Sequence, residues 1–177
     1  MMANNFWSKK ASAIVLLICT APCYASNTGN SSVQAIYVDK TNNVHLVFRD
    51  GRDRKISSGG NAASATLAPD NRYAAWLVLN ARADEGDAGA GASRLAVYRH
   101  GRLRYIKCEP FIRDYWFWME GKQIAIDCGG RHFAGTLILH DADTLQAVAS
   151  IVQADVPEDQ RPAWSTPESD ATSHTAQ

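Results

Sequence analysis

Between Val33 and Val156 the hydrophobic pattern has a period of two rather than 3.6. Val44, Leu46 and Phe48 alternate with His45 and Val47; Leu95, Val97 and Arg99 alternate with Ala96 and Tyr98; Gln123, Ala125 and Asp127 alternate with Ile124 and Ile126. Turn signals separate these runs: Asp50-Gly51, Pro69-Asp70-Asn71, His100-Gly101, Glu120-Gly121 and Asp141-Ala142-Asp143. Short alternating runs at regular spacing, bounded by such residues, predict an all-β domain of antiparallel strands. The pattern places strands near 33–38, 44–48 and 53–57, then near 64–68, 73–79, 94–99 and 103–107, then near 112–118, 123–128, 134–140 and 145–152. No window carries a helical period, and the Gly/Ala/Asp-rich stretch 81–93 reads as an exposed loop.

The chain repeats itself. Residues 46–56, LVFRDGRDRKI, align with 96–106, AVYRHGRLRYI, at an offset of fifty. The turn in APDNRYAAWLV has its counterpart in WMEGKQIAIDC at the same offset, with Asp70 matching Glu120, Asn71 matching Gly121 and Arg72 matching Lys122. A weaker third copy of the first hairpin is TLILHDADTLQAV, 136–148. A period of about 40–50 residues holding four short strands is the mark of a propeller blade.

The segments TLAPDNRYAAWLV and FWMEGKQIAIDCGG resemble the WD40-like repeat with a Pro-Asp-Gly turn, found in the periplasmic propeller of the Tol system and in the propellers of prolyl peptidases. Pro69, Asp70, Gly121 and Lys122 match parts of that turn, while Asn71 stands for its glycine in one copy and Met119-Glu120 for Pro-Asp in the other. The resemblance implies two to three four-stranded antiparallel blade-like sheets, fewer than three full blades. Closed propellers use about four or more blades. The sheets therefore form either a partial propeller, completed by association of protomers, or a small open stack or sandwich. A monomer whose terminal strands, near Ala35–Asp39 and Leu145–Ile151, pair with each other is preferred over an assembly, because a domain of about 120 residues can bury its own core.

The ends change the picture. Residues 1–25 carry Lys9 and Lys10, an apolar run and a Cys-Tyr-Ala ending, the layout of a secretory signal peptide. The apolar run is about a dozen residues, short of the ~20 needed to span a bilayer. Residues 26–32 read as a linker, 33–156 as the β-blade domain, and 157–177, with Pro157, Pro162 and Pro167 and little apolar content, as a disordered tail. The expected location is periplasmic or secreted.

Lysines plus arginines equal aspartates plus glutamates, 18 of each, and loss of the leader removes two lysines and no acid. A near-neutral chain is a poor match for nucleic acid, which is held by clustered cations. Cys19 and Cys23 leave with the leader, and Cys108 and Cys128 remain as an even pair. In an oxidising compartment such a pair predicts a disulfide, worth about 3 kcal/mol for a loop of this size. Neither cysteine stands in a CxxC or paired-His arrangement, so no metal site is expected.

Candidate chemistry is sparse. In Asp114–Met119 (DYWFWM), alternation sends Tyr115, Phe117 and Met119 to one face and Trp116 and Trp118 to the other. Both faces are apolar, which favours an inner strand; an exposed ring among Tyr115, Trp116 and Trp118 would instead make a binding platform. Arg102 and Arg104 share a strand face and repeat Arg52 and Arg54. They read first as cations protecting an edge strand, and second as anion-binding candidates. His132, His140, Asp141 and Asp143 fall where the repeat puts a turn, which Asp favours for its own backbone contacts. There is no HExxH, no GxSxG and no phosphate loop, so neither catalysis nor a cofactor is expected. The expectation is an exported, non-catalytic module that binds a protein partner in the cell envelope or outside the cell, with no membrane span. The alternative is a small exported inhibitor or immunity-type protein that blocks an enzyme.

Overall fold

A strand with a period of two has two faces to dispose of, and the computed structural model, which describes residues 32–80, 91–130 and 133–167, disposes of them by stacking antiparallel sheets. Ten strands follow in order: β1 (Val33–Val38), β2 (Val44–Phe48), β3 (Asp53–Lys55), β4 (Ala62–Leu67), β5 (Ala74–Leu79), β6 (Ala92–Arg99), β7 (Arg102–Trp118), β8 (Gln123–Cys128), β9 (Thr136–Asp141) and β10 (Ala147–Val152). One sheet has three strands, β1-β2-β3, and the other has seven, β10-β9-β8-β7-β6-β5-β4. The fold is all-β and antiparallel throughout, as the periodicity predicts.

The seven-stranded sheet is two blade-like units sharing one strand. Arg102–Lys107 of β7 pairs with β6, and Ile112–Trp118 pairs with β8. The sequence pattern separates these as strands 103–107 and 112–118; the structure runs them together as 17 residues. Residues 108–111, with a cis Glu109–Pro110 peptide, bulge out of the β6 ladder where the partner changes. Proline cannot donate to a ladder, which suits a bulge. The Cys108–Cys128 disulfide ties this point to the end of β8, with Cα atoms 5.9 Å apart. The chain thus forms a first sheet (β1–β3), a middle sheet (β4–β6 and the first half of β7) and a last sheet (the second half of β7, and β8–β10).

Two cores fill the gaps. Val44, Leu46 and Phe48 of the first sheet meet Ala74, Trp76, Val78, Ala96 and Tyr98 of the middle sheet. The opposite face of the middle sheet presents Tyr73, Ala75, Leu77, Leu95, Val97 and Ile106 to Tyr115, Phe117, Ile124 and Ile126 of the last. The centre of the middle sheet is therefore buried on both faces, which explains why β5 is apolar at every position while β2 alternates.

The repeated hairpin is not folded identically in its two copies. In β2–β3, Phe48 N donates to Arg52 O (2.9 Å), leaving Arg49-Asp50-Gly51 as a three-residue turn with Gly51 at φ +82°. In β6–β7, Arg99 pairs with Arg102 across a two-residue turn, His100 and Gly101, both at positive φ. The extra residue slips the register by one, and a one-residue slip exchanges the faces of a strand. Leu46 therefore points to the next sheet and its aligned partner Ala96 to the previous one. After the turns the copies are back in phase. Arg54 lies opposite Leu46, and Arg104 opposite Val97, each on the face toward the following sheet.

The terminal strands do not close on each other: β1 pairs with β2 and β10 with β9, in different sheets. The expected leader (1–25), most of the linker, the 81–90 part of the expected loop and His132 lie outside the described residues. The expected tail, 157–177, is described in its first part. Residues up to 167 are placed, with short 3-10 turns at Glu158–Gln160 and Ala163–Ser165, and the remainder lies outside the described residues. Among the described residues, no helix is long and apolar enough to cross a membrane.

His140 is 8% exposed, its Nδ1 is 3.0 Å from Leu145 O, and its Nε2 is buried without a partner among the described residues. Burial pushes its pKa below the ordinary histidine value, with the Leu145 contact opposing in part. A folded pKa below the unfolded one means that the unfolded chain binds more protons. Stability contributed by neutral His140 is then complete above about pH 6.5 and lost as pH falls through and below that value. Urea unfolding between pH 8 and 5 should show this decline, and His140→Gln should flatten it. An unchanged slope in the variant would contradict the assignment. The turn carboxylates of Asp39, Asp50 and Asp141, held low by backbone N–H donors among other contacts, act in a separate and more acidic window.

Candidate functional site

Antiparallel connectivity gathers the turns at 49–51, 69–72, 100–101, 119–122 and 142–146 at one end of the stack and the disulfide at the other. The turn end is where the arginines accumulate. Along the face toward the last sheet, cross-strand pairs run from Leu95–Ile106 to Val97–Arg104 to Arg99–Arg102, so an apolar face becomes cationic over three rungs. There the β9–β10 turn folds over it. Arg104 donates to Asp143 O (2.7 Å) and Thr144 O (2.5 Å), and Arg99 forms an ion pair with the Asp143 carboxylate, which also accepts from the Tyr73 hydroxyl at 2.5 Å. Arg99 also stacks over the Tyr73 ring, 5.1 Å from its centroid. The result is a cleft of ≈ 410 Å³ lined by Val97, Arg99, His100, Arg102, Arg104, Ala142, Asp143 and Leu145.

The other copy of the hairpin builds a second cleft at the same end, between the first and middle sheets. It measures ≈ 900 Å³, and Arg49, Arg52, Arg54 and Arg72 line it together with Phe48, Tyr98 and Asp70. Arg52 is paired with Asp50 (2.7 Å) and lies over the Phe48 ring, and Arg72 is 3.9 Å from Asp70. His100 belongs to both clefts, standing as the wall between them. Three aspartates work in turns: Asp50 and Asp70 accept from the backbone N–H two residues on, and Asp141 accepts from Thr144 N and Oγ1 at 2.8 Å. That is the backbone role their positions suggest, and the HDADT segment contributes a turn rather than a reactive pair.

The candidate residues divide between these surroundings. Arg102 and Arg104 come together in the first cleft; Arg104 is committed to the β9–β10 turn, while the Arg102 side chain is exposed and makes no hydrogen bond or ion pair among the described residues. Tyr115 is corrected from a candidate binding residue to a core residue. Its side chain is buried between the middle and last sheets, with the hydroxyl 2.5 Å from Ser64 O and 2.7 Å from Ala75 O. Burial pushes that phenol far above its ordinary pKa, so it stays a neutral donor. Trp116 and Trp118 are half-buried on the opposite, outer face of the last sheet.

That outer face is apolar: Trp116, Ala125 and Leu139 pair across it, with Leu137 alongside. Ala125, Leu137 and Leu139 are buried although they point away from the core between the sheets. The segment after β10 is what meets this face. Trp116 Nε1 donates to Trp164 O (3.0 Å), and Arg161 holds the segment in place by donating to Gln153 O and Val156 O. Composition alone hides this docking, and Trp164 is the one signal of it.

On the far side, the outer face of the first sheet is finished differently. His45 stacks on Tyr37 with ring centroids 4.9 Å apart, and it lies 2.8 Å from Asp53 and 3.3 Å from Asp39. Tyr37 donates to Asp53 at 2.5 Å. Sequence reasoning did not single out this polar ladder, whose members are joined by pairing of β1, β2 and β3. Among the described residues there is no group of three or more His, Cys, Asp or Glu side chains arranged to hold a metal ion.

No protein-family model matches the chain, and no curated protein matches it. Among solved structures it is similar to the β-propeller domain of the Trilobed protease from Pyrococcus furiosus, a domain described as revealing an open velcro topology. The identity is 16% and the TM-score 0.47, over 70% of this chain and 38% of that one. The chain thus spans well under half the length of the propeller it matches.

If the tail covers the last sheet, Trp164→Ala should lower the stability of the full chain by about 1–2 kcal/mol in urea, for a half-buried ring. It should also raise binding of a hydrophobic dye. An unchanged unfolding midpoint and dye signal would contradict the docking.

Proposed function

We propose that the chain is an exported, non-catalytic protein-binding module built from WD40-like blades, and that it engages its partner at the turn end of the stack. One observation carries the reading: a hairpin written twice in the sequence builds two arginine-lined clefts side by side at that end, with His100 as their common wall. Surface assembled by repetition from several turns is the kind on which repeat architectures place binding. The Cys108–Cys128 disulfide supports the exported location, since such bonds persist in oxidising compartments. Both outer faces are already finished, one by the Tyr37–His45–Asp53 ladder and one by the docked tail, which supports a monomer that needs no further blade.

Two measurements test the reading. N-terminal sequencing of protein recovered outside the cytoplasm should begin at Ser26, and a product that retains Lys9 would contradict export. A photoreactive amino acid placed at His100 should give covalent protein adducts in cells, while one at exposed Lys40, at the disulfide end, should give none. Equal labelling from both positions, or labelling from neither, would contradict a partner surface at the turns.

A further inference from the structure

We propose that the partner presents an acidic, extended segment that crosses the His100-Gly101 tip and places a carboxylate in each of the two arginine clefts. The proposal rests on the protein-binding reading above and adds the chemistry of what is bound. Every acid lining the clefts is already committed: Asp143 to Arg99 and Tyr73, Asp70 to its own turn and Arg72, and Asp53 to Tyr37 and His45 on the outer face. Asp50, in the turn beside them, is held by Arg52. Three guanidinium groups are left over. Arg102 on one side of the tip, and Arg49 and Arg54 on the other, are exposed and have no side-chain hydrogen bond or ion pair among the described residues.

The shape of the site agrees with a carboxylate. Asp143 already seats one in the first cleft, against Arg99 and the Tyr73 hydroxyl. The arginine fork matches that group geometrically. Between the clefts, Gly101 sits at φ +79°, and a Cβ there would have nothing within 4 Å. At Gly101 the tip therefore offers a passing backbone open space, beside the exposed His100 side chain that walls the two clefts. Three unneutralised arginines split across a hairpin are too few for a polyanion, whose binding scales with the number of phosphates neutralised. A protein segment carrying a few Asp or Glu residues is the occupant that fits.

The test is calorimetric titration of the full-length exported chain with a synthetic glutamate octapeptide at low salt, with inorganic phosphate and an oligothymidylate octamer as separate arms. The account expects binding of the peptide, weakened about fivefold by Arg102→Ala and about fivefold by Arg54→Ala, since each removes an exposed pair worth up to about 1 kcal/mol. The double variant should show the two losses multiplied. All three arginines are exposed, so the variants should keep the thermal unfolding midpoint of the parent, and Arg104, which holds the β9–β10 turn, is left intact. Peptide binding that ignores either substitution would overturn the two-cleft arrangement. Equal binding of the oligothymidylate or of phosphate alone would overturn the acidic protein segment in favour of unspecific anion attraction. Protein adducts from position 100 without any peptide binding would leave the module reading standing and sink this inference alone; failure of both would sink both.

Discussion

The rest of the molecule depends on the centre of the middle sheet, β5 and most of β6, which has no solvent face. Ala74, Trp76 and Val78 go to one core, Tyr73, Ala75 and Leu77 to the other, and every backbone group of β5 must find its partner in β4 or β6. Facing sheets sit about 10 Å apart, so large and small side chains must alternate across the sheet to fill both gaps. Trp76 stands beside Ala96, and Ala75 beside Val97. A sheet of this kind can exist only with a neighbour on each side, and the first and last sheets are those neighbours. The strand that passes from one unit to the next, β7, makes the last sheet continuous with the middle one, and the disulfide fixes the place where it changes partners.

Each outer sheet then has one face left over, and the chain resolves the two differently. On the first sheet the leftover face is polar, with Tyr37, His45, Asp53 and Lys55 interacting across three strands, and water is an adequate neighbour. On the last sheet it carries Trp116, Leu137 and Leu139, which water does not suit, and the segment through Trp164 is laid against it. With faces consumed by packing and the far end held by the disulfide and by the Arg113–Asp127–Gln153 contacts, the turn end is where side chains remain uncommitted. The arginines there serve two purposes. Arg54 on the terminal strand β3 and Arg102 on the half of β7 that pairs with β6 alone discourage strand addition, and the same residues line the clefts.

Strand identity and order were legible because a period of two, broken by Asn, Asp and Gly, leaves little choice, and the fifty-residue offset placed the units in sequence. The split of Tyr115 and Phe117 from Trp116 and Trp118 was legible for the same reason; which side faced the core was not, since both sides are apolar. The register slip between the hairpins could not be read from LVFRDGRDRKI and AVYRHGRLRYI, because Asp-Gly and His-Gly tolerate positive φ in either a two- or three-residue turn. The packing requirement decides it, since β2 must send Leu46 and Phe48 toward the middle sheet. The docked tail was hidden for a compositional reason: a proline-rich segment looks unable to fold, but one tryptophan and a few backbone contacts suffice once a ready-made apolar face exists. The clefts were hidden too, because edge protection and cleft lining use the same residues, and only the fold of β9–β10 over Arg99 and Arg104 distinguishes them.

Hydrogen exchange of the full chain tests the doubly buried middle sheet most directly, because amides protected by both cores exchange only through global opening, whereas edge strands open locally. The account predicts the slowest exchange in β5 and β6, with β3 and β10 faster by orders of magnitude. Exchange in β5 as fast as in β3 or β10 would mean that the middle sheet lacks a cover on one side, and would contradict the three-layer stack.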